Sequence, residues 1–171
     1  PQLIVDVCAG RGTKTRQLAA IHPMARVVAS DISPGRMLSL HDLAESHDRI
    51  ESCPSKELMS LAGTVDLLVL DVPCSNSGVL ARRVEARHRQ DPATRQRLRD
   101  LQRQIAADSL ALLAPGGTLL WATCSIHPDE NEKRIEWLTE WHDLEVAMMR
   151  RELGQGGPGD LATHWRDGGF F

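Results

Sequence analysis

The chain has 171 residues, a formal net charge of −3 at pH 7 and an apolar fraction of 42%. This length is enough for one domain with a full hydrophobic core, and the composition is that of an ordinary globular protein. The charge excludes a uniformly basic nucleic-acid-binding chain, and no apolar run reaches the roughly 18 residues of a membrane span. We therefore expect one domain over residues 1–171 and no membrane partner.

Short β-rich runs alternate with longer helical patterns along the chain. Strands are predicted, in chain order, at 3–7, 26–30, 49–52, 66–71, 117–122, 143–149 and 168–171. Helices are predicted at 14–21, 34–47, 94–113 and 129–141, and the glycine-rich stretch 153–168 is predicted to be a loop. Such alternation is typical of an α/β fold with a parallel sheet, and the run DLLVLD is apolar on both faces, as a central strand should be.

The four cysteines do not form a metal-binding or disulfide pattern. They stand at positions 8, 53, 74 and 124, without the paired C-x-x-C spacing of a zinc site. The chain is also too large for a small disulfide scaffold. We expect reduced thiols, a cytoplasmic location and no bound metal. Both ends of the chain run directly into predicted strands, which suggests a domain excised from a longer protein.

A glycine-containing segment, VDVCAGRGTKT, follows the first predicted strand and opens a helix. Gly10 and Gly12 allow a tight turn, and the helix start offers backbone N–H groups to a ligand. Asp31 ends the next strand, about 20 residues later, where a carboxylate can accept hydrogen bonds from ribose hydroxyls. The arrangement suits NAD and S-adenosylmethionine alike, and a glycine turn taken alone is also compatible with a purely structural role.

Two thiols follow two predicted strands at the points where the strands end. Asp71 and Cys74 come after the strand at 66–71, and Cys124 comes after the strand at 117–122. Because ligands bind outside the carboxyl ends of parallel strands, we expect these three side chains to share one rim of the sheet. Each cysteine taken singly is more typical of a small core residue, and it is the presence of two at the same rim, among polar and turn residues, that favours a functional role.

Four motifs, in order, resemble those of the RNA cytosine-5 methyltransferases of the Nop2/Sun group, including the bacterial 16S ribosomal RNA enzymes of the Sun (Fmu) type. DVCAGRGTKT is similar to DACAAPGGKT, and ASDIS is similar to the acidic motif after the second strand. DVPCSNSGVLARRVEAR is similar to DAPCSGTGVLRRRPDAR, and ATCSIHPDENE is similar to STCSIxPEENE. The resemblance implies a Rossmann-like seven-stranded sheet, mostly parallel with an antiparallel C-terminal strand and helices on both faces. It also implies an RNA-binding region N-terminal to the catalytic domain.

The same resemblance implies an activity and assigns roles to residues. The reaction is methyl transfer from S-adenosyl-L-methionine to C5 of a cytosine in RNA, with ribosomal RNA as the expected substrate and a monomer as the expected state. Cys124 is the implied nucleophile at C6, Cys74 promotes release of the product, and Asp71 hydrogen-bonds the cytosine. The implied cofactor-binding residues are Cys8, Ala9, Gly10, Arg11, Gly12, Thr13, Lys14, Asp31 and Asp71.

A basic stretch follows the Cys74 motif. Arg82, Arg83 and Arg87 are the expected RNA-contacting residues, although a run of charges is also typical of a solvated helix face. In the glycine loop, Arg11 and Thr13 replace the proline and glycine of the family motif. That departure leaves open a catalytically weak or degenerate module that binds RNA or a partner. Two other classes of enzyme remain as alternatives. An NAD-linked dehydrogenase would account for the glycine loop and Asp31 but for neither cysteine motif. A methyltransferase that acts on nitrogen or on a small molecule would not need a pair of cysteines.

Overall fold

Five strands form the main sheet in the computed structural model, which describes residues 1–156, 161 and 167–171. They are β1 (Leu3–Asp6), β2 (Arg26–Ala29), β3 (Ile50–Ser52), β4 (Val65–Asp71) and β5 (Leu113–Ala122), in the spatial order β3-β2-β1-β4-β5. β1 pairs in parallel with both β2 and β4, and β2 pairs in parallel with β3. The strand order reverses between β1 and β4, which is the switch point where open α/β sheets bind ligands.

The described residues contain four α-helices, and helices lie on both faces of the sheet. They are α1 (Thr13–Ile21), α2 (Pro34–Glu45), α3 (Pro92–Leu110) and α4 (Glu132–Trp141). α2 begins as the sequence predicts, because Ser33 is extended and Pro34 fits the first helical turn. Four short 3₁₀ helices lie at Ser55–Leu61, Ser77–Val79, Val84–Arg89 and Pro128–Glu130.

The chain divides into two compact units. The first unit comprises Pro1–Asp71 and Ile105–Leu120, and the second comprises Val72–Gln104 and Trp121–Phe171. In the first unit the core is built from β-branched residues of the strands and leucines of the helices, such as Ile4, Val27 and Leu43. Burying each such side chain contributes about 1.5–3 kcal/mol, so this packing fixes the strands whose ends carry the candidate site.

The prediction of a single seven-stranded sheet is wrong. A separate antiparallel pair, β6 (Arg151–Glu152) and β7 (Gly169–Phe170), accompanies the five-stranded sheet among the described residues. β7 falls within the predicted strand at 168–171, and Phe170 forms an antiparallel bridge with Thr123.

The predicted strand at 143–149 is also wrong. Those residues have no strand structure and most of their side chains are exposed, so the apolar ones lack the buried sheet face that would hold a strand in place. The predicted loop at 153–168 lies partly outside the described residues. Within residues 1–156, 161 and 167–171, none of the helices combines the length and apolar character that a membrane crossing requires.

Candidate active site

The loop after β1 owes its path to two glycines with positive φ. Gly10 has φ 62° and Gly12 has φ 83°, a region that L side chains rarely adopt. A Cβ on Gly12 would collide with the Leu43 side chain and would lie 3.3 Å from Leu40 Cδ2, so this glycine also lets α1 pack against α2. A Cβ on Gly10 would meet nothing within 4 Å. The loop therefore has open space beside Gly10, where a ligand can approach the backbone.

The Asp31 carboxylate is nearly buried beside this loop. It accepts the backbone N–H of Gly10 at 3.0 Å and that of Ser33 at 2.9 Å, and Arg36 Nη1 lies 3.3 Å from Oδ2. A carboxylate offers about four acceptor positions, so about one remains for a ligand hydroxyl. Asp31 thus both shapes the loop and can take a ribose hydrogen bond.

Lys14 and Asp71 form an ion pair between the first turn of α1 and the end of β4. Lys14 Nζ, in the first turn of α1, lies 2.5 Å from Asp71 Oδ2. The lysine side chain is half exposed, whereas the aspartate side chain is about 29% exposed. The pair holds the Asp71 carboxylate at the switch point of the sheet.

Asp6 is a residue of this site that the sequence analysis missed. It is fully buried, its Oδ2 accepts the Thr15 hydroxyl at 2.8 Å, and its Oδ1 has no partner within the described part of the chain. Burial raises the pKa of Asp6 to about 6, and the hydrogen bond from Thr15 opposes that rise. A charged residue inside the apolar run LIVDV was the available signal.

These carboxylates favour a cationic ligand over an anionic one. Burial raises the pKa of the Cys8 thiol to about 12, and the carboxylates of Asp31, Asp6 and Asp71 add to the rise. This negatively charged environment attracts the sulfonium and ammonium groups of S-adenosylmethionine and repels the pyrophosphate of NAD. The unpartnered Asp6 oxygen and the space beside Gly10 fit the same cofactor.

The departures at Arg11 and Thr13 from the family's glycine loop do not strain it. Arg11 and Thr13 are both exposed. Among the described residues, Asn76 is the non-glycine residue with positive φ, so neither Arg11 nor Thr13 needs a conformation reserved for glycine. The replacements therefore leave the loop backbone intact.

The second unit brings the two predicted cysteines together. Cys74 Sγ and Cys124 Sγ lie 3.3 Å apart. Cys74 is buried, and Cys124 is partly exposed. The hydrogen bond to Cys124, reinforced by burial, raises the pKa of Cys74 far above its ordinary value. Cys74 is accordingly an uncharged thiol that can donate to the sulfur of Cys124.

Glu130 ties together the two segments that follow these cysteines, a role that the sequence alone did not indicate. Its Oε1 accepts the backbone N–H of Ser75 at 2.9 Å and the Gln102 amide at 3.1 Å. Its Oε2 accepts the hydroxyls of Ser75 at 2.5 Å and Ser125 at 2.6 Å. Because Glu130 is buried, these four donors replace the water that a carboxylate would otherwise need.

Asn76 provides a second contact to the Cys124 sulfur. Its Nδ2 lies 3.2 Å from Cys124 Sγ, and its Oδ1 accepts from Arg89 Nη1 at 2.8 Å. The sequence did not predict this contact, because the chain between the two residues runs through the 3₁₀ helix Val84–Arg89, which has no periodic signal.

The three arginines predicted to contact RNA are exposed. Arg82 pairs with Asp167, with 3.0 Å between Nε and Oδ1 and a second bond from Nη2 to Oδ2. The positive charge of Arg82 is thus partly neutralised by Asp167. Arg83, just before the 3₁₀ helix Val84–Arg89, and Arg87 within it make this segment positively charged. Within the described residues, no group of three or more His, Cys, Asp or Glu side chains is placed to hold a metal ion.

The strand order, the glycine loop and the helices on both faces define a Rossmann-like, S-adenosylmethionine-dependent methyltransferase fold. A family model described as 16S rRNA methyltransferase RsmB/F matches residues 1–157, and the chain belongs to this family. The resemblance inferred from the four motifs is thereby confirmed, and S-adenosylmethionine is the cofactor of the family.

Similar proteins agree with this assignment. The chain is 34% identical over 175 residues to ribosomal RNA small subunit methyltransferase B of Sodalis glossinidius, covering 99% of this chain and 40% of that protein. It is 31% identical over 181 residues to methyltransferase F of an Escherichia coli strain, covering 98% and 36% of the two chains. The chain therefore spans between a third and two-fifths of these relatives.

A solved structure supports the fold. NSun6 from Pyrococcus horikoshii, determined with the S-adenosylmethionine analogue SFG, superposes with a TM-score of 0.74 at 22% identity. The superposition covers 98% of this chain and 46% of that one.

Proposed function

We propose that residues 1–171 form the catalytic domain of a cytoplasmic methyltransferase that modifies C5 of a cytosine in ribosomal RNA. The observation that carries this proposal is the 3.3 Å separation of the Cys74 and Cys124 sulfurs. A methyltransferase that acts on nitrogen has no need of two thiols, whereas cytosine C5 is too weakly nucleophilic to accept a methyl group unaided.

Cys124 is the proposed nucleophile. Its thiolate forms a bond to C6, and the displaced electron pair makes C5 enamine-like and able to take up a methyl group. When bound, S-adenosylmethionine supplies that methyl group as an electrophile. The proposed contacts to it come from the loop of Cys8, Ala9, Gly10, Arg11, Gly12, Thr13 and Lys14, and from Asp31 and Asp71. We further assign Asp71 to the cytosine edge, with Lys14 orienting its carboxylate.

Cys74 is the proposed release group. Water takes the C5 proton, the C5–H electron pair restores the double bond between C5 and C6, and the bond between Cys124 and C6 breaks with its electron pair returning to sulfur. Because the pKa of Cys74 is raised, this residue carries a proton at neutral pH and is suited to donate it to the departing sulfur. Arg82, Arg83 and Arg87 are proposed to contact RNA phosphates.

Methyl transfer to 16S ribosomal RNA by three cysteine variants tests the proposal. Cys124→Ala should abolish transfer, and Cys74→Ala should accumulate a covalent protein–RNA adduct, visible as a slower band on a denaturing gel. Cys53→Ala, in the first unit, is the matched control and should retain activity. Full activity of Cys124→Ala, or normal turnover without an adduct for Cys74→Ala, would overturn the assignment of the two roles.

A calorimetric titration separates this proposal from a module that binds RNA without catalysis. The chain should bind S-adenosylmethionine, since the carboxylates around the glycine loop suit a cation and the loop backbone is unstrained. Absence of binding would favour the non-catalytic module.

A further inference from the structure

We propose that Asn76 and Arg89 form a relay that stabilises the thiolate of Cys124, with the Asn76 amide donating to the sulfur and Arg89 holding that amide in place. The inference rests on the proposed function, in which Cys124 is the nucleophile. It adds Asn76 as a residue that touches the reacting atom and Arg89 as a positioning residue that acts through Asn76.

The orientation of the Asn76 amide follows from its neighbour. A guanidinium group has five donors and no acceptor, so the Asn76 atom 2.8 Å from Arg89 Nη1 must be the oxygen. The NH₂ group is then the atom 3.2 Å from Cys124 Sγ, and it can only donate. A hydrogen bond that an N–H group donates to sulfur is stronger when the sulfur is a thiolate than when it is a thiol.

The Asn76 backbone is adapted to this position. Its φ of 60° and ψ of 26° lie in the left-handed region, which asparagine tolerates better than other residues with a Cβ. The motif that the chain resembles has glycine at this place, in DAPCSGTG. This chain therefore carries an amide where the motif has no side chain, and glycine is a replacement that removes the amide without straining the loop.

The charges around the sulfur favour the same role. Cys74 stays protonated, so its S–H is a second donor 3.3 Å from the Cys124 sulfur. Arg89 is a permanent cation one amide away from that sulfur. Glu130 is the opposing anion, and its oxygens accept from Ser75, Ser125 and Gln102. The Cys124 sulfur thus faces the Asn76 amide and the Cys74 thiol as hydrogen-bond donors, and the Arg89 cation lies behind the amide.

Alkylation of Cys124 by iodoacetamide, without RNA or cofactor, tests the relay directly. The modified peptide is quantified by mass spectrometry, which separates Cys124 from the other three thiols. Asn76→Gly should slow alkylation at pH 7 by about tenfold, as expected for loss of a hydrogen bond to a charged group, and should move the midpoint of the pH profile upward. Arg89→Met should lower the alkylation rate of Cys124 by a smaller factor. Arg97→Met on α3 is its matched control and should leave that rate unchanged.

Two outcomes identify the relay rather than a general disturbance. If Arg89 acts through Asn76, the double variant should alkylate at the rate of Asn76→Gly alone. An unchanged rate and midpoint for a folded Asn76→Gly, or an additive double variant, would overturn the inference. Since this assay needs no methyl transfer, failure of the relay is distinguishable from failure of the proposed function, which the activity of Cys124→Ala tests.

Discussion

Glu130 binds Ser75 twice, once at the backbone N–H and once at the hydroxyl, across a sequence separation of 55 residues. Ser75 is the residue directly after Cys74, and the same carboxylate also accepts from the hydroxyl of Ser125, directly after Cys124. One buried carboxylate therefore sets the spacing of the two thiols. The Glu130 charge also acts on the Cys74 thiol through space and adds to the rise of its pKa, after the larger effects of the hydrogen bond to Cys124 and of burial.

Replacing Glu130 with glutamine should destabilise the protein by about 2 kcal/mol or more, because an amide nitrogen would face serine hydroxyls that now donate to a carboxylate oxygen. Urea unfolding followed by tryptophan fluorescence measures the effect, and Trp121, whose indole donates to the Glu130 carbonyl, is a local reporter. Glu136→Gln, an exposed change on α4, should leave the unfolding midpoint within error. Equal midpoints for the two variants would contradict the role assigned to Glu130.

Alanine at Gly12 should cost more stability than alanine at Gly10. Both glycines have positive φ, so each replacement loses about 1 kcal/mol or more to backbone strain. Only the Gly12 replacement also collides with Leu43, which adds a packing cost of about 1–3 kcal/mol. Thermal unfolding of both variants is the measurement, and a Gly10→Ala variant as unstable as Gly12→Ala would argue against this packing.

The RNA-binding role of the arginines predicts a change in salt dependence. Reversing Arg82 and Arg83 to glutamate should weaken binding to an RNA fragment and lower the slope of log K against log salt by about one for each phosphate that the protein no longer neutralises. The ion pair between Arg82 and Asp167 is exposed and worth at most about 1 kcal/mol, so folding should survive. Arg16→Glu on α1 is the control and should leave the slope unchanged. If the slope of the double variant also stays unchanged, Arg82 and Arg83 do not contact RNA phosphates.

The inner strands β1 and β4 were predictable from the sequence because their runs are apolar on both faces. The predicted strands at 3–7 and 26–30 match β1 and β2 within one residue, since β-branched runs between turn signals have few alternatives. The apolar residues of 143–149 gave a false strand, because a strand also needs a partner, and no local pattern shows whether one is near.

The site was predictable where residues sit at strand ends and not where contacts cross between loops. Parallel topology alone led us to expect Cys74 and Cys124 near each other. The contacts of Glu130 with Ser75 and of Arg89 with Asn76 depend on how irregular segments turn, and short 3₁₀ turns have no repeating signature. Asp6 was visible as a charge in an apolar run, but its pKa depends on burial and neighbours that only the fold supplies.

Asp6 predicts a pH dependence of stability. Its pKa rises from 3.8 in the unfolded chain to about 6 in the folded one, so the folded state binds the proton more tightly. The stabilisation from this group is complete below pH 4 and is lost as the pH rises through 6, amounting to about 3 kcal/mol. Asp6→Asn keeps an acceptor for Thr15 and removes the titration, so its stability should change less between pH 4 and 7 than that of the parent. Urea unfolding across this range measures the difference, with Asp42→Asn, an exposed carboxylate on α2, as the control. If Asp6→Asn follows the same pH profile as Asp42→Asn, Asp6 is already ionised in the folded protein at pH 4.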